Sequence, residues 1–322
     1  MRDISLPRVV IFSCRNSRIV VPLFEAGMNI VGIVEFGASQ PKGLLASVRR
    51  IYRFVRSRET PAHRIAREKD IPVYDASSMK DPGLRRWLVE RACDVLVVYR
   101  VPIIPVDVFS LAGVAINLHP SLLPGYRGGN PLFWAVWDNA ATTGCTVHLL
   151  EEQGDTGAIV AQKEVPIPDG ISEVELERYA EVEIGVPLLM EAVTCISRGN
   201  ASLIPQPERS PTRYARRRKR HEIYDAIPFD RWTVDRAWRV LRFLDLSPFE
   251  IGRGPWLLSF LTWSVGAVDR TPSKGKPGTI ARDSRGYYIS HAEGRIRLRA
   301  RISVKSLARR LIDRANLGLR GN

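Results

Sequence analysis

Residues 8–36 switch between unbroken apolar runs and a helical spacing. Arg8–Cys14 reads as a short buried strand. Ser17–Met28 places Ile19, Val20, Leu23, Phe24 and Ala26 where one helix face would bury them, and Asn29–Phe36 is a second continuous run rich in valine and isoleucine. Strand, helix and strand within about 30 residues make a βαβ unit with a right-handed crossover. Ile71–Tyr74, Asp94–Tyr99 and Val114–Leu118 continue the series, with a helix over Pro82–Ala92. The pattern predicts a doubly wound, mostly parallel α/β sheet. In such sheets ligands bind beyond the carboxyl ends of the strands, so chemistry is expected just after Val114–Leu118.

Further strands are expected at Cys145–Leu150 and Ile159–Val165. Ser172 and Glu175 then form the S-x-x-E of a capping box ahead of one long helix reaching about Arg198, closed by Gly199 and Asn200. Residues 201–232 read as a basic linker, with Pro205, Pro207 and Pro211 before the run Arg216–Arg220. Thr233–Leu244 has helical spacing. Leu257–Val268, Gly278–Ala281, Tyr287–His291 and Arg295–Ile302 read as short strands of a small β-barrel-like domain. The expected organisation is a first domain over 1–200, the linker over 201–232 and an OB-like open barrel over 233–322.

At 45% hydrophobic and 25% charged residues, the 322-residue chain is not globally disordered, and its length suits two domains. The net charge of +14 is unevenly placed: residues 201–322 carry 26 Lys plus Arg against 11 Asp plus Glu, and residues 1–200 carry 22 against 23. A basic second half attracts a polyanion or a nucleotide-linked substrate. Residues 37–70 add a basic insertion with Arg49, Arg50, Arg53, Arg56 and Arg58, read as the solvated face of a helix. The longest apolar-rich stretch without charge, Pro255 to the Val268 region, is shorter than the roughly 18–20 residues of a spanning helix, so no membrane segment is expected. Four scattered cysteines without a C-x-x-C pair, and no signal-peptide pattern, point to a reducing, cytoplasmic setting.

Ala115–Gly129 is the most informative segment. Asn117 and His119 stand two apart at a strand end, so both side chains face one spot. Asp155 follows in a Gly-Asp-Thr-Gly turn, after a strand able to return it to their side. A carboxamide keeps its proton at any working pH and can donate to an oxyanion, while a carboxylate beside a histidine can accept a proton from an amine. The set suits acyl transfer to nitrogen. It does not suit serine hydrolysis, because no G-x-S-x-G is present. Strand-end residues satisfying backbone groups would give the same Asn-x-His spacing. His148, inside an apolar strand, reads as a packed core histidine. His63, His221 and His291 are isolated, and no metal site is expected.

INLHPSLLPGYRG at 116–128 and TTGCTVHLLEEQGDTGAIVAQ at 142–162 resemble the formyltransferases that use 10-formyltetrahydrofolate, whose signature is N-x-H-x-S-L-L-P with a downstream D-x-G. The resemblance covers about residues 8–200 and implies a Rossmann-like core. It further implies that Asn117 stabilises a tetrahedral intermediate, His119 polarises the formyl group and Asp155 promotes proton removal from the attacking amine. The folate pocket would be lined by Val101, Pro102, Ile103 and Ile104 and by Gln153 and Gly154 up to Asp155. The acceptor would meet Ser121, Tyr126, Arg127 and Gly128, and the Leu123–Pro124 bond would be cis. Tyr99-Arg100-Val101-Pro102 departs from the small residue and glycine usual in the family. The linker, helix and following strands resemble the small barrel appended to methionyl-tRNA formyltransferases and to some sugar formyltransferases. Tyr126 to Trp134, YRGGNPLFW, is more similar to the sugar enzymes than to the R-W-R-G-A-A-P-I pattern of the tRNA enzymes, and residues 37–60 lack the latter's glycine- and lysine-rich loop. A small-molecule amine on a nucleotide-linked sugar is therefore the expected acceptor, with initiator tRNA as the alternative. Phe133, Trp134 and Trp137 read as core, with acceptor-pocket lining as the alternative.

Overall fold

The computed structural model describes residues 6–15, 17–37, 59–217, 220–246 and 262–301. Two compact units emerge. The first comprises 1–132, 142–166 and 177–215, and the second 133–141, 167–176 and 216–322. Residues 201–215, expected in a linker, thus belong to the first unit, where Ile204 pairs with Ile159. Residues 38–58 of the basic insertion at 37–70, with its five arginines, and the arginines at 218 and beyond in the Arg216–Arg220 run fall outside the described residues or lack a described side chain; Arg216 and Arg217 are exposed.

The first unit is built on a seven-stranded sheet of β1 (Val9–Cys14), β2 (Ile30–Phe36), β3 (Val73–Ala76), β4 (Val95–Tyr99), β5 (Val114–His119), β6 (Thr142–Leu149) and β7 (Ile159–Pro166). Their order is β3-β2-β1-β4-β5-β6-β7, with β1 to β5 parallel and β6 and β7 antiparallel. β1 and β4, VVIFSC and VLVVY, lie at the centre and are buried on both faces, which explains their continuous β-branched runs. Strand order reverses between β1 and β4, which puts a ligand crevice at the carboxyl ends of β1, β4 and β5. Thr60 and Asp81 cap the helices Pro61–Glu68 and Pro82–Glu90 through side-chain oxygens that accept the His63 and Gly83 amides, each helix starting on proline.

The long helix expected to reach Arg198 is interrupted. Glu173–Arg178 and Val186–Ser197 are α-helical, and Tyr179–Gly185 between them is a π-helical stretch. Pro187 offers no N–H and its ring crowds the carbonyl four residues earlier, so a wider turn ahead of it relieves both defects. The π stretch presents Glu181, buried, to three donors: Tyr99 Oη at 2.7 Å, Arg100 Nη1 at 2.9 Å and Arg18 Nη1 at 3.2 Å. The Tyr99-Arg100 departure from the family pattern is thereby explained, since both residues serve one buried carboxylate at the end of β4.

In the second unit the described strands β8 (Thr262–Asp269), β9 (Ile280–Asp283), β10 (Gly286–His291) and β11 (Gly294–Arg301) form an antiparallel sheet in the order β8-β11-β10-β9. Among the described residues this sheet is open and not a closed barrel. Helix Val234–Leu244 is capped by Thr233 and buries Val234, Ala237, Val240 and Leu241. Trp134 and Trp137 are buried in this unit, the first donating to the Arg216 carbonyl and the second stacked edge-on against Trp232. With Phe133 fully buried as well, the three aromatics are core rather than lining of an acceptor pocket. His291 is also structural, its Nε2 donating to the Trp232 carbonyl at 3.0 Å.

Candidate active site

β5 ends on Asn117-Leu118-His119, and strand alternation turns Asn117 and His119 to the same side. β6 runs back antiparallel with His148 directly opposite Asn117. The cross-strand pair touches: Asn117 Nδ2 lies 3.0 Å from His148 Nε2. His148 Nδ1 lies 2.8 Å from the Leu149 carbonyl, which can only accept, so Nδ1 carries the ring proton. Burial, reinforced by His119, holds His148 down at about 4, well below the ordinary 6.5. The neutral ring therefore presents an Nε2 lone pair, and Asn117 donates to it. One carboxamide N–H is fixed in this way, and the carboxamide has a second to offer.

Asp155 arrives in the turn after β6 with a left-handed backbone, φ +61°. The turn closes tightly: a Cβ on Gly157 would stand 1.9 Å from the Leu149 carbonyl oxygen, a position only glycine can occupy. Asp155 Oδ2 accepts the Gly128 amide at 2.8 Å, and Oδ1 lies 3.5 Å from His119 Nδ1 and 3.8 Å from His148 Nε2. His119 Nε2 donates to the Tyr126 carbonyl at 3.1 Å, which turns Nδ1 toward Asp155. The structure thus brings Asn117, His119 and Asp155 together, with His148 as a fourth member. His148 is buried, as its apolar strand predicts, but its ring faces the site. The antiparallel return of β6 is the signal that would have found it.

The turn between β5 and the next helix is fixed by a saturated hydroxyl. Thr146 Oγ1 accepts the Leu123 amide and the Gln162 carboxamide and donates to the Ser121 carbonyl. Leu123–Pro124 is cis, as the resemblance implied. Two residues expected to touch the acceptor are instead engaged internally. Ser121 is fully buried, its Oγ donating to the Gly125 carbonyl at 2.7 Å. Arg127 is buried, with its guanidinium donating to Gln206 Oε1 and to the carbonyls of Pro207 and Glu208. Such a guanidinium ties the 206–208 segment down with four of its five N–H donors. Tyr126 and Gly128 remain at the site, the first through its carbonyl on His119 and the second through its amide on Asp155. Thr212 and Ala215 brace this turn by accepting the Tyr126 amide and donating to the Arg127 carbonyl.

Beyond β4, Val101 is half-buried, Pro102 is exposed, Ile103 is 77% exposed and Ile104 is buried. Val101 packs with Leu150 against the core cluster that contains Ile104, so the loops after β4 and β6 rise from one base. Gln153 and Gly154 are exposed, with open space where a Gly154 Cβ would stand. His63, expected to be isolated, lies between Glu35 and Asp75.

Residues 49–192 match the family described as formyl transferase. The methionyl-tRNA formyltransferase of Chlorobium phaeovibrioides is 30% identical over 253 residues, covering 74% of this chain and 74% of that protein. This chain belongs to the formyl transferase family. A second methionyl-tRNA formyltransferase, from Bacteroides fragilis, is 30% identical over 187 residues, 58% of this formyl transferase family member, which spans about half of that relative's length (54%). Among solved structures, the sugar 3N-formyltransferase WlaRD, crystallised with dTDP and 5-N-formyl-THF, shares the fold with a TM-score of 0.55 at 15% identity, over 92% of this chain and 98% of that one.

Proposed function

We propose that the chain is an N-formyltransferase that moves a formyl group from 10-formyltetrahydrofolate to a primary amine carried by a nucleotide-linked amino sugar or a similar small molecule. The observation that supports transfer is the convergence of Asn117, His119 and Asp155 at the carboxyl end of β5, with the Asn117 amide oriented by His148. The residues beside it fit the folate donor: Pro102 and Ile103 give an exposed apolar wall, and Gln153 and open Gly154 a polar rim, as a part-aromatic, amide-bearing molecule needs. When bound, the donor supplies an activated formyl carbon. The free N–H of Asn117 is placed for the oxygen that gains negative charge. Asp155 Oδ1, facing two imidazole nitrogens, is the base that takes the proton of the incoming amine, and its other oxygen stays on the Gly128 amide so that the carboxylate does not rotate.

The Tyr126–Trp134 stretch supports the sugar acceptor, as does the nucleotide crystallised with the WlaRD sugar enzyme. The second reading is methionyl-tRNA formyltransferase, favoured by the names of the relatives and by the basic half. Incubation with 10-formyltetrahydrofolate and a panel of amino-sugar nucleotides alongside charged initiator tRNA separates them by the mass of the formylated product. Formylation of a sugar nucleotide is expected; product from tRNA alone replaces the sugar reading, and no product from any amine removes both.

A further inference from the structure

Residues 204–215 run across both turns of the candidate site and are fastened to each. Ile204 pairs with Ile159 at the start of β7. The Gln206 carboxamide is held at both ends: Oε1 accepts from Arg127, and Nε2 donates at 2.6 Å to the Gly157 carbonyl, in the turn that carries Asp155. Thr212 Oγ1 accepts the Tyr126 amide at 2.6 Å. Ala215 donates to the Arg127 carbonyl at 2.7 Å and accepts the Asn130 amide at 2.9 Å. A strap tied down at these points is a rigid mount, so whatever it presents outward is held in place before a ligand arrives.

What it presents is Tyr214. Ala215 is fully buried, whereas Tyr214 is 68% exposed, the only exposed aromatic side chain among the described residues. A scattered surface apolar residue needs no explanation, but a large ring fixed at the edge of a site does. The ring lies against Gly128. A Cβ there would stand 3.0 Å from both Cε2 and Cζ of Tyr214 and 2.9 Å from the Ala215 carbonyl oxygen, so glycine, at φ +123°, is what lets the strap come this close. Gly128 is also the residue whose amide holds Asp155 Oδ2 at 2.8 Å. One glycine therefore separates ring from carboxylate, and these contacts confine the Tyr214 Cζ to within about 8 Å of Oδ2.

We propose that Tyr214 binds the acceptor, the exposed face of its ring stacking on the C–H face of the sugar that carries the amine. The inference rests on the sugar-nucleotide reading above and deepens it by naming the part of the acceptor that is gripped. Distance selects the sugar over the base. An amine that gives its proton to Asp155 Oδ1 keeps the ring bearing it beside the carboxylate, while the nucleobase follows a diphosphate and a ribose further out. A sugar ring has a face of C–H groups and a rim of hydroxyls. Laying the face on an aromatic ring removes apolar surface from water and leaves the rim free to hydrogen-bond. Tyrosine supplies the area at low entropic cost, with two side-chain torsions to fix. Tyr214 thus acts on acceptor binding, and the chemical step stays with Asn117, His119 and Asp155.

The test is formyl transfer by the full chain from 10-formyltetrahydrofolate to a panel of dTDP- and UDP-linked aminohexoses, with Tyr214→Ala, Tyr214→Leu and Tyr214→Phe beside the parent. Acceptor KM should rise about tenfold in Tyr214→Ala and return close to the parent value in Tyr214→Phe, with Tm and the KM of the folate donor unchanged. A second readout needs no turnover. Without the donor, the sugar-ring protons of the aminohexose nucleotide should move upfield on binding to the parent and to Tyr214→Phe, and should lose that ring-current shift with Tyr214→Leu. The leucine keeps bulk against Gly128, so it carries the test where Tyr214→Ala lowers Tm. An unchanged acceptor KM in Tyr214→Leu, or an equal loss in Tyr214→Phe, overturns the stacking contact and leaves the sugar reading in place. A joint change of kcat, both KM values and Tm overturns it too, and makes the ring a brace for the Gly128 turn. Product from charged initiator tRNA alone, or from no amine, is seen already in the parent chain and removes the sugar reading and the stacking together.

Discussion

The carboxamide of Asn117 donates across the β5–β6 ladder to the Nε2 of His148, 3.0 Å away, and the opposite nitrogen of that imidazole is anchored on the Leu149 carbonyl. A chain of two hydrogen bonds thus runs from the backbone to the group proposed to meet the developing charge. Since a carboxamide can rotate by half a turn, exchanging donor for acceptor, His148 decides which end faces the substrate.

His148→Ala should therefore lower turnover by roughly 10²-fold, the usual scale for loss of an oriented oxyanion donor, with a smaller effect on KM. His148→Gln, whose carbonyl can accept from Asn117, should recover part of the loss. Steady-state kinetics of the two variants check this. Full activity in His148→Ala would show that Asn117 is oriented by something else.

The same histidine makes stability pH-dependent in a defined window. Its folded value, about 4, lies below the ordinary 6.5, because burial and the neighbouring His119 disfavour the charged ring. As pH falls through this window, the unfolded chain takes up the proton first, so stability is lost between about pH 6.5 and about pH 4. Thermal melts across that range should show the loss in the parent chain and a shallower one in His148→Gln.

Asp155→Asn keeps an oxygen for the Gly128 amide but removes the base. Turnover should fall roughly 10²-fold or more while Tm changes little. A comparable drop in both would mean that the carboxylate acts by holding the turn.

Glycines 154 and 157 of the same turn should behave oppositely. A Cβ at 157 meets the Leu149 carbonyl at 1.9 Å, so Gly157→Ala should cost about 1–3 kcal/mol in denaturant unfolding. A Cβ at 154 meets nothing, so Gly154→Ala should fold normally, and a raised KM for the folate donor would place that residue at the pocket rim.

The sheet was legible because β1 and β4 are buried on both faces and their sequences say so, and Asn117-x-His119 with the Gly-Asp-Thr-Gly turn announced where the site would form. Three features were not legible. His148 sits in an apolar alternation indistinguishable from core until β6 is known to return antiparallel. The resemblance implies an acceptor contact for Arg127, whereas its hydrogen-bond partners lie about 80 positions away at 206–208. Glu35, His63 and Asp75 are far apart in sequence, and only the parallel pairing of β2 with β3 and the capped start of the following helix bring them together.

Arg127 provides a test of that correction. Arg127→Met leaves the carbonyls of Pro207 and Glu208 and the Gln206 side chain without their donor, at about 1–3 kcal/mol for such unsatisfied groups. Tm should fall and limited proteolysis should cut within 206–215 faster than in the parent chain. A raised acceptor KM with unchanged Tm and cleavage would restore the acceptor-contact reading.

The acceptor itself is separable by salt. A tRNA engages several phosphates, each releasing counterions, so its apparent affinity falls steeply as salt rises, with a log–log slope set by the number engaged. A nucleotide-linked sugar carries two phosphates at most and its slope is correspondingly shallow. The basic excess of residues 201–322 is the feature that would serve a polyanion, and its contribution is read by neutralising Arg216 and Arg217, both exposed. With a sugar acceptor, kcat/KM should vary weakly with salt and the double variant Arg216→Gln/Arg217→Gln should keep most of its activity. A steep slope, loss of turnover in that variant and salt-sensitive competition by charged initiator tRNA would together assign the acceptor to tRNA.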